Sequence, residues 1–231
     1  MKFSYAMCIV FSTGLILGIG IHFFPYEMLR QRQSYGSVII LNGPSASGKT
    51  SIQKEFQQLM MPELWIKVGI DTLFDRPMPD ITSENMNFWQ SPNSMRWVTS
   101  SRDKAGHSVI TLFVGEEGIK IMHGMNGAIA AYAHAGCNVI VDYIAYDQRW
   151  LKDLEHKLRG CTVYYVAVDI SLEAIEQREQ ARGTSPVGHA RSHYATVYGD
   201  RAYDLHVDSG KYSAREIALQ LQQFLSTKEK K

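Results

Sequence analysis

The sequence predicts a three-layer α/β/α sandwich around a five-stranded parallel sheet, and three observations carry that prediction. Runs such as "SVIILN" (37–42) and "TVYYVAVD" (162–169) are apolar almost throughout, as strands buried on both faces must be. Amphipathic segments of helical period separate the runs, and crossovers of that kind join parallel neighbours. Finally, the glycine-rich "GPSASGKT" (43–50) sits between the first run and the first helical pattern, where α/β sheets bind their ligands.

In chain order, "SVIILN" is the first strand, and the helix after the glycine-rich segment places Ile52, Phe56 and Met60 on one face. "LWIKVGI" (64–70) is the second strand and delivers the chain to Asp71. In the irregular stretch that follows, "RWVTSSRDKAGHSVITLFVG" is expected to form a hairpin turning at 104–106. Phe74, Phe88, Trp89 and Trp97 then read either as an aromatic acceptor pocket or as a small core under an insertion. "EEGIKIMHGMNGAIAAYAHAG" has helical spacing and Gly136 as its stop. "CNVIVD" (137–142) is the third sheet strand, followed by a helix with a stripe of Trp150, Leu151, Leu154 and Leu158. The fourth strand, 162–169, leads to "SLEAIEQREQARG", a helix capped by Ser171 and closed by Gly183. "DLHVDS" (204–209) is a short fifth strand and "SAREIALQLQQFL" the final helix. Right-handed crossovers suit a strand order of 2-3-1-4-5.

A chain of 231 residues suffices for one such domain with its own core. That domain is expected at 37–231, after an apolar segment with the start of a linker (1–27) and the linker proper (28–36). Lys plus Arg number 24 against 23 Asp plus Glu, so no global field draws nucleic acid, and a small molecule is the expected partner. Cys8, Cys137 and Cys161 are odd in number and lack metal-ligand spacing, against a disulfide framework or zinc site. "FSYAMCIVFSTGLILGIGIHFF" (3–24) is uncharged apart from His22 and close to the roughly 20 residues needed to span a bilayer. It reads as a membrane anchor, with a cleaved signal peptide or a true start at Met28 as alternatives. The domain is expected in the cytoplasm, tethered to the inner membrane in the first case and soluble in the last.

Gly43, Pro44, Ser45, Ala46, Ser47, Gly48, Lys49 and Thr50 match G-x-x-x-x-G-K-[ST], with Ser51 in the helix that follows. The two glycines free the backbone so that successive N–H groups converge on phosphate oxygens at a helix start. The expected occupant is ATP with Mg²⁺: Lys49 at the β and γ phosphates, Thr50 on the metal. A glycine-rich turn that binds nothing is the alternative. The acceptor side rests on carboxylates at strand ends. Asp71 is the candidate base that takes a hydroxyl proton, unless it is only a helix N-cap. Asp142 follows "VIV" as a Walker B acid would, acting on Mg²⁺ directly or through water; the alternative is an ordinary strand-end carboxylate. Arg178 and Arg182, at i and i+4 of "REQARG", can cover the phosphates, or form a solvated face paired with Glu176 or Glu179. Tyr143 and Tyr146 either line the cleft or pack, whereas His123 and His134 read as packed or exposed.

Together, "SVIILNGPSASGKTS", "WIKVGIDTLFD", "NVIVDYI", "REQARG" and "YDLHVDS" resemble chloramphenicol phosphotransferases, P-loop enzymes that phosphorylate a primary hydroxyl of that antibiotic. The similarity runs in order through residues 37–225. It implies a nucleoside-kinase-like P-loop fold and ATP-dependent transfer to a small-molecule hydroxyl. It also implies Asp71 as general base and Arg178 and Arg182 as lid residues near the ATP phosphates. The chain departs from the pattern in carrying Thr184 and Ser185 where the family has an acid and a further arginine, with Arg191 nearby as a substitute. It also departs in the N-terminal run and in residues 74–115, which should shape the acceptor pocket. Two other readings stay open: a membrane-tethered nucleotide-binding module without small-molecule kinase activity, and a toxin-like nucleotide-sugar kinase.

Overall fold

The computed structural model describes residues 34–102 and 106–228. The apolar run at 3–24, the linker up to residue 33 and most of the hairpin turn lie outside them. The chain runs β1 (Val38–Asn42), α1 (Lys49–Met60), β2 (Trp65–Gly69), a π turn (Asp71–Asp75), α2 (Met86–Gln90), β3 (Met95–Arg102) and β4 (Ser108–Val114). It continues with α3 (Glu116–His134), β5 (Asn138–Tyr143), α4 (Gln148–Lys157), β6 (Val163–Asp169), α5 (Leu172–Arg182), α6 (His189–His193), β7 (Leu205–Asp208) and α7 (Ala214–Lys228).

The parallel sheet is ordered β2-β5-β1-β6-β7, which, with the hairpin strands set aside, is the predicted 2-3-1-4-5. β1 is central and wholly buried. Its alternate side chains enter opposite layers, as the strand pleat requires. Ile39 and Leu41 join Ile52, Phe56, Ile217 and Leu221 under α1 and α7. Val38 and Ile40 join Met125, Ile129, Leu151 and Leu154 under α3 and α4. Helix ends follow the local chemistry: Ser171 accepts from Ala174 N–H at 3.2 Å, and Gly183 closes α5 at φ +64°. Among the described residues no helix is long and apolar enough to cross a membrane.

The register places the site. Leu41 pairs with Asp142, and Gly69 pairs with Asp142 from the other side, so the Asp142 carboxylate emerges at the carboxyl edge beside the loop after β1. A Cβ on Gly69 would stand 2.7 Å from that of Asp142, so only glycine leaves the aspartate its place.

β3 and β4 form the expected hairpin, a separate antiparallel sheet with an irregularity between Thr99 and Ser101. It docks on α6, where Ile110 N–H donates to Gly188 O at 3.1 Å. The four aromatic residues of this region do not share one cluster. Phe74 is core, 6.0 Å from the Trp150 ring; Trp89 is buried beside Phe88; Trp97 is half-exposed. Tyr143 also leaves the cleft: it is buried, and its hydroxyl reaches Asn126 Oδ1 at 3.2 Å.

Candidate active site

β1 ends at Asn42, whose buried side chain fastens the root of the loop. Its Nδ2 donates to Val197 O (2.8 Å) and Tyr203 Oη (2.6 Å), and its Oδ1 accepts from Ala145 N–H (3.1 Å). The chain then turns through Ala46 at φ +61° and Gly48 at φ +91°, left-handed conformations that glycine takes freely and alanine only under strain. α1 starts at Lys49, so the first-turn N–H groups that lack carbonyl partners point into the concavity. This backbone suits a polyphosphate.

Lys49 is 4% exposed; its ammonium donates to Gly43 O (3.0 Å) and Pro44 O (2.8 Å) and lies 3.6 Å from Asp142 Oδ1. Asp142 Oδ2 accepts from the Thr50 hydroxyl at 2.7 Å. Burial pushes the Lys49 ammonium down and the Asp142 carboxyl up, each against the pull of its partner. Thr50 and Asp142 offer two adjacent oxygen donors, a set suited to a hard divalent cation that takes its remaining ligands from phosphate and water.

Asp71 opens the π turn after β2 with its carboxylate 55% exposed, and Arg182 Nη2 lies 3.8 Å from its Oδ2. The field of Asp71 reaches Lys49, Asp142 and Tyr146. Arg178 donates through Nη2 to Ser209 O at 2.7 Å, and its Nη1 would lie 3.7 Å from a Cβ on Gly48. Neither arginine takes the glutamate pairings weighed above, since Glu176 holds Arg191 (2.5 Å) and Glu179 accepts from the N–H groups of Gly188 and Ala190 (both 2.7 Å). An open cavity of ≈ 280 Å³ borders the loop at Ala46, Gly48 and Ser51, with Arg178, Ser209 and Tyr212 opposite. That volume lies just below the about 300–1,000 Å³ typical of small-molecule pockets.

The structure thus brings the loop, Asp71, Asp142, Arg178 and Arg182 together, and adds two residues absent from the sequence reading, His189 and His193, beside Tyr146 and Trp97. His193 Nε2 accepts from Ser45 N–H at 3.0 Å, across 148 residues of chain. The Tyr146 hydroxyl lies 2.9 Å from His189 Nε2, and the half-exposed Trp97 ring covers His189 at 4.1 Å between centroids. Burial, with Lys49 and Arg182 nearby, pushes His189 down to about 4. Burial, with His189 and Lys49 nearby, pushes His193 down to about 2.

These shifts give the fold an acid-side liability. In the unfolded chain both imidazoles protonate below about pH 6.5, whereas in the folded protein they stay neutral well below it. The unfolded state therefore binds more protons in that window, and stability, complete above the unfolded value, is lost as pH falls. Melting curves should show a loss on the order of a few kcal/mol between about pH 7 and pH 5. The double variant His189→Gln/His193→Gln should show a flatter profile.

Comparison with known proteins agrees with this geometry. The family profile of chloramphenicol phosphotransferase-like protein matches residues 36–226. A Mycobacterium tuberculosis protein provisionally named an O-phosphotransferase is 32% identical over 187 residues, covering 80% of each chain, in each of two strains. Among solved structures, the M. tuberculosis APS kinase in complex with AMPPNP and APS superposes with a TM-score of 0.53 at 15% identity, over 83% of this chain and 98% of that one. Shikimate kinase from Acinetobacter baumannii in complex with shikimate gives 0.54 at 13% identity, over 86% and 97%. At those identities the two structures establish a shared P-loop kinase fold.

Proposed function

The chain belongs to the chloramphenicol phosphotransferase-like protein family, and from that premise we propose that residues 37–231 transfer the γ-phosphoryl group of ATP to a hydroxyl of a small molecule. The observation that carries the reading is the placing of an exposed carboxylate, Asp71, and Arg182 across from the buried Lys49–Asp142 pair at the mouth of the phosphate loop.

The residues divide the work by position. The N–H groups from Ala46 to Thr50 cradle the phosphates, and Lys49 exchanges its two loop carbonyls for phosphate oxygens. Thr50 and Asp142 would hold Mg²⁺, which when bound would offset charge on the phosphates. Arg178 fixes the nucleotide side against Ser209, while Arg182 stands beside Asp71. Asp71 takes the proton of the acceptor hydroxyl as its oxygen bonds to phosphorus and ADP departs. Catalysis in this scheme is largely positioning and charge stabilisation.

The test is an acceptor screen: ADP release from Mg·ATP across chloramphenicol, amino alcohols, sugars and nucleotide sugars. Acceptor-dependent ADP with a phosphorylated product supports the reading. Nucleotide binding with no acceptor-dependent ADP favours the nucleotide-binding module, and transfer confined to nucleotide sugars favours the third reading.

A further inference from the structure

The five-residue α6 touches both halves of this site through two histidines at i and i+4. His193 is 3% exposed and its tautomer is determined by its surroundings. Nε2 accepts from Ser45 N–H, so Nδ1 carries the hydrogen and gives it to Ser192 Oγ (3.2 Å), whose own hydrogen goes to His189 O (2.7 Å). The loop residues from Ala46 onward border the cavity beside Arg178 and Ser209. Ser45, by contrast, is held from the other side, where Tyr146 packs against His193 with ring centroids 4.9 Å apart.

His189 is likewise oriented. Its Nδ1 lies 4.0 Å from Glu179 Oε1 and has no hydrogen-bond partner. A lone pair aimed at a carboxylate is unfavourable, so Nδ1 carries the hydrogen and Nε2 accepts from the Tyr146 hydroxyl. The phenol hydrogen is then committed, and the phenol oxygen presents lone pairs only. Asp71 and Asp142 lie close enough for their fields to reach that oxygen, and Lys49 and Arg182 stand near the His189 ring it bonds.

We propose that α6 is the positioning element of the transfer: His193 fixes the acceptor-facing end of the phosphate loop through Ser45, and His189, backed by Glu179, aims Tyr146 as an acceptor-recognition hydroxyl. Because that hydroxyl has spent its hydrogen on His189 and offers only lone pairs, it meets a hydrogen-bond donor of the acceptor rather than a carboxylate or phosphate oxygen, so the acceptor is a donor-rich polyol or amino alcohol rather than a carboxylate or phosphate ester. The inference rests on the phosphotransfer reading of the same site.

Two sets of measurements test it. In calorimetric titrations, His193→Ala should weaken Mg·AMPPNP about tenfold by leaving Ser45 N–H buried and unpaired, with a smaller effect on Mg·ADP. His193→Gln, whose amide oxygen can accept from the same N–H, should restore most of the loss. With the hydroxyl compound that gives the fastest ADP release in the acceptor screen, Tyr146→Phe should raise the acceptor KM about tenfold and leave the KM for ATP unchanged. Equal weakening of both nucleotides, or a lower Tm with affinity intact, would reduce His193 to a packing residue and overturn the first half. An unchanged acceptor KM in Tyr146→Phe, or a preferred acceptor that is a carboxylate or phosphate ester, would overturn the second. If no hydroxyl compound is phosphorylated, the phosphotransfer reading fails and Tyr146's role fails with it, while the nucleotide titrations still decide His193.

Discussion

Asp71→Asn is expected to lower acceptor-dependent turnover by about 10²- to 10⁴-fold, the range for removal of a positioned general base, and to leave Mg·ADP affinity unchanged. Asparagine keeps the size of the side chain and its place after β2, so the substitution removes charge and basicity and little else. The side chain is more than half exposed, and its charged neighbour at 3.8 Å is the half-exposed Arg182, so stability should scarcely move. Asp75, four residues on in the same π turn, provides the control. Asp75→Asn should retain most of the activity if the base is Asp71. Full turnover in Asp71→Asn, measured by coupled ADP release with a single acceptor, would place the base elsewhere.

What the sequence made legible follows from how local each signal is. The five strands were legible as apolar runs with helical crossovers between them, for which the order 2-3-1-4-5 was one that right-handed crossovers suit, and the phosphate loop was legible from eight consecutive residues. The caps of α5, Ser171 and Gly183, were readable because capping is decided by neighbours three or four positions away. Asp142 was readable because a carboxylate straight after a buried run must leave the sheet at its edge.

The remainder was hidden by distance or by shortness. α6 has five residues, too few for a 3.6-residue period to register. Its two histidines gain their meaning from partners far along the chain, Ser45 and Tyr146. Asn42 ends the apolar run 37–42, and nothing local shows that it fastens β1 to the chain after β5 and to the segment after α6. The aromatic residues of 74–97 looked equivalent because composition does not say which face of a hairpin or turn each will occupy. Only Trp97 reaches the histidines, whereas Phe74 entered the core beneath α4. Tyr143 and Tyr146 lie three positions apart, and the end of β5 between them sends the first inward and leaves the second at the cleft.

Lys49→Ala should reduce phosphoryl transfer by about 10³-fold, the upper range for loss of one preorganised charge-stabilising donor, and should also weaken Mg·AMPPNP. The expected stability effect differs in character from this loss. Lys49 and Asp142 are buried together, and burial shifts each toward its neutral form despite the other's charge. Desolvation therefore outweighs their mutual attraction, and a pair in that condition is weak support for the fold. Removing the lysine alone strands a carboxylate whose remaining partner is the Thr50 hydroxyl, and such stranding costs about 3–5 kcal/mol when the charge is kept. Protonation of Asp142 relieves part of that cost, so the melting temperature of Lys49→Ala should fall least at acid pH relative to wild type. The double variant Lys49→Met/Asp142→Asn removes both charges at similar volume and should melt at or above the wild-type temperature while remaining inactive. A double variant that unfolds as readily as Lys49→Ala would mean that the pair holds the loop together, and that the inactivity of Lys49→Ala reflects a collapsed cradle rather than a missing charge.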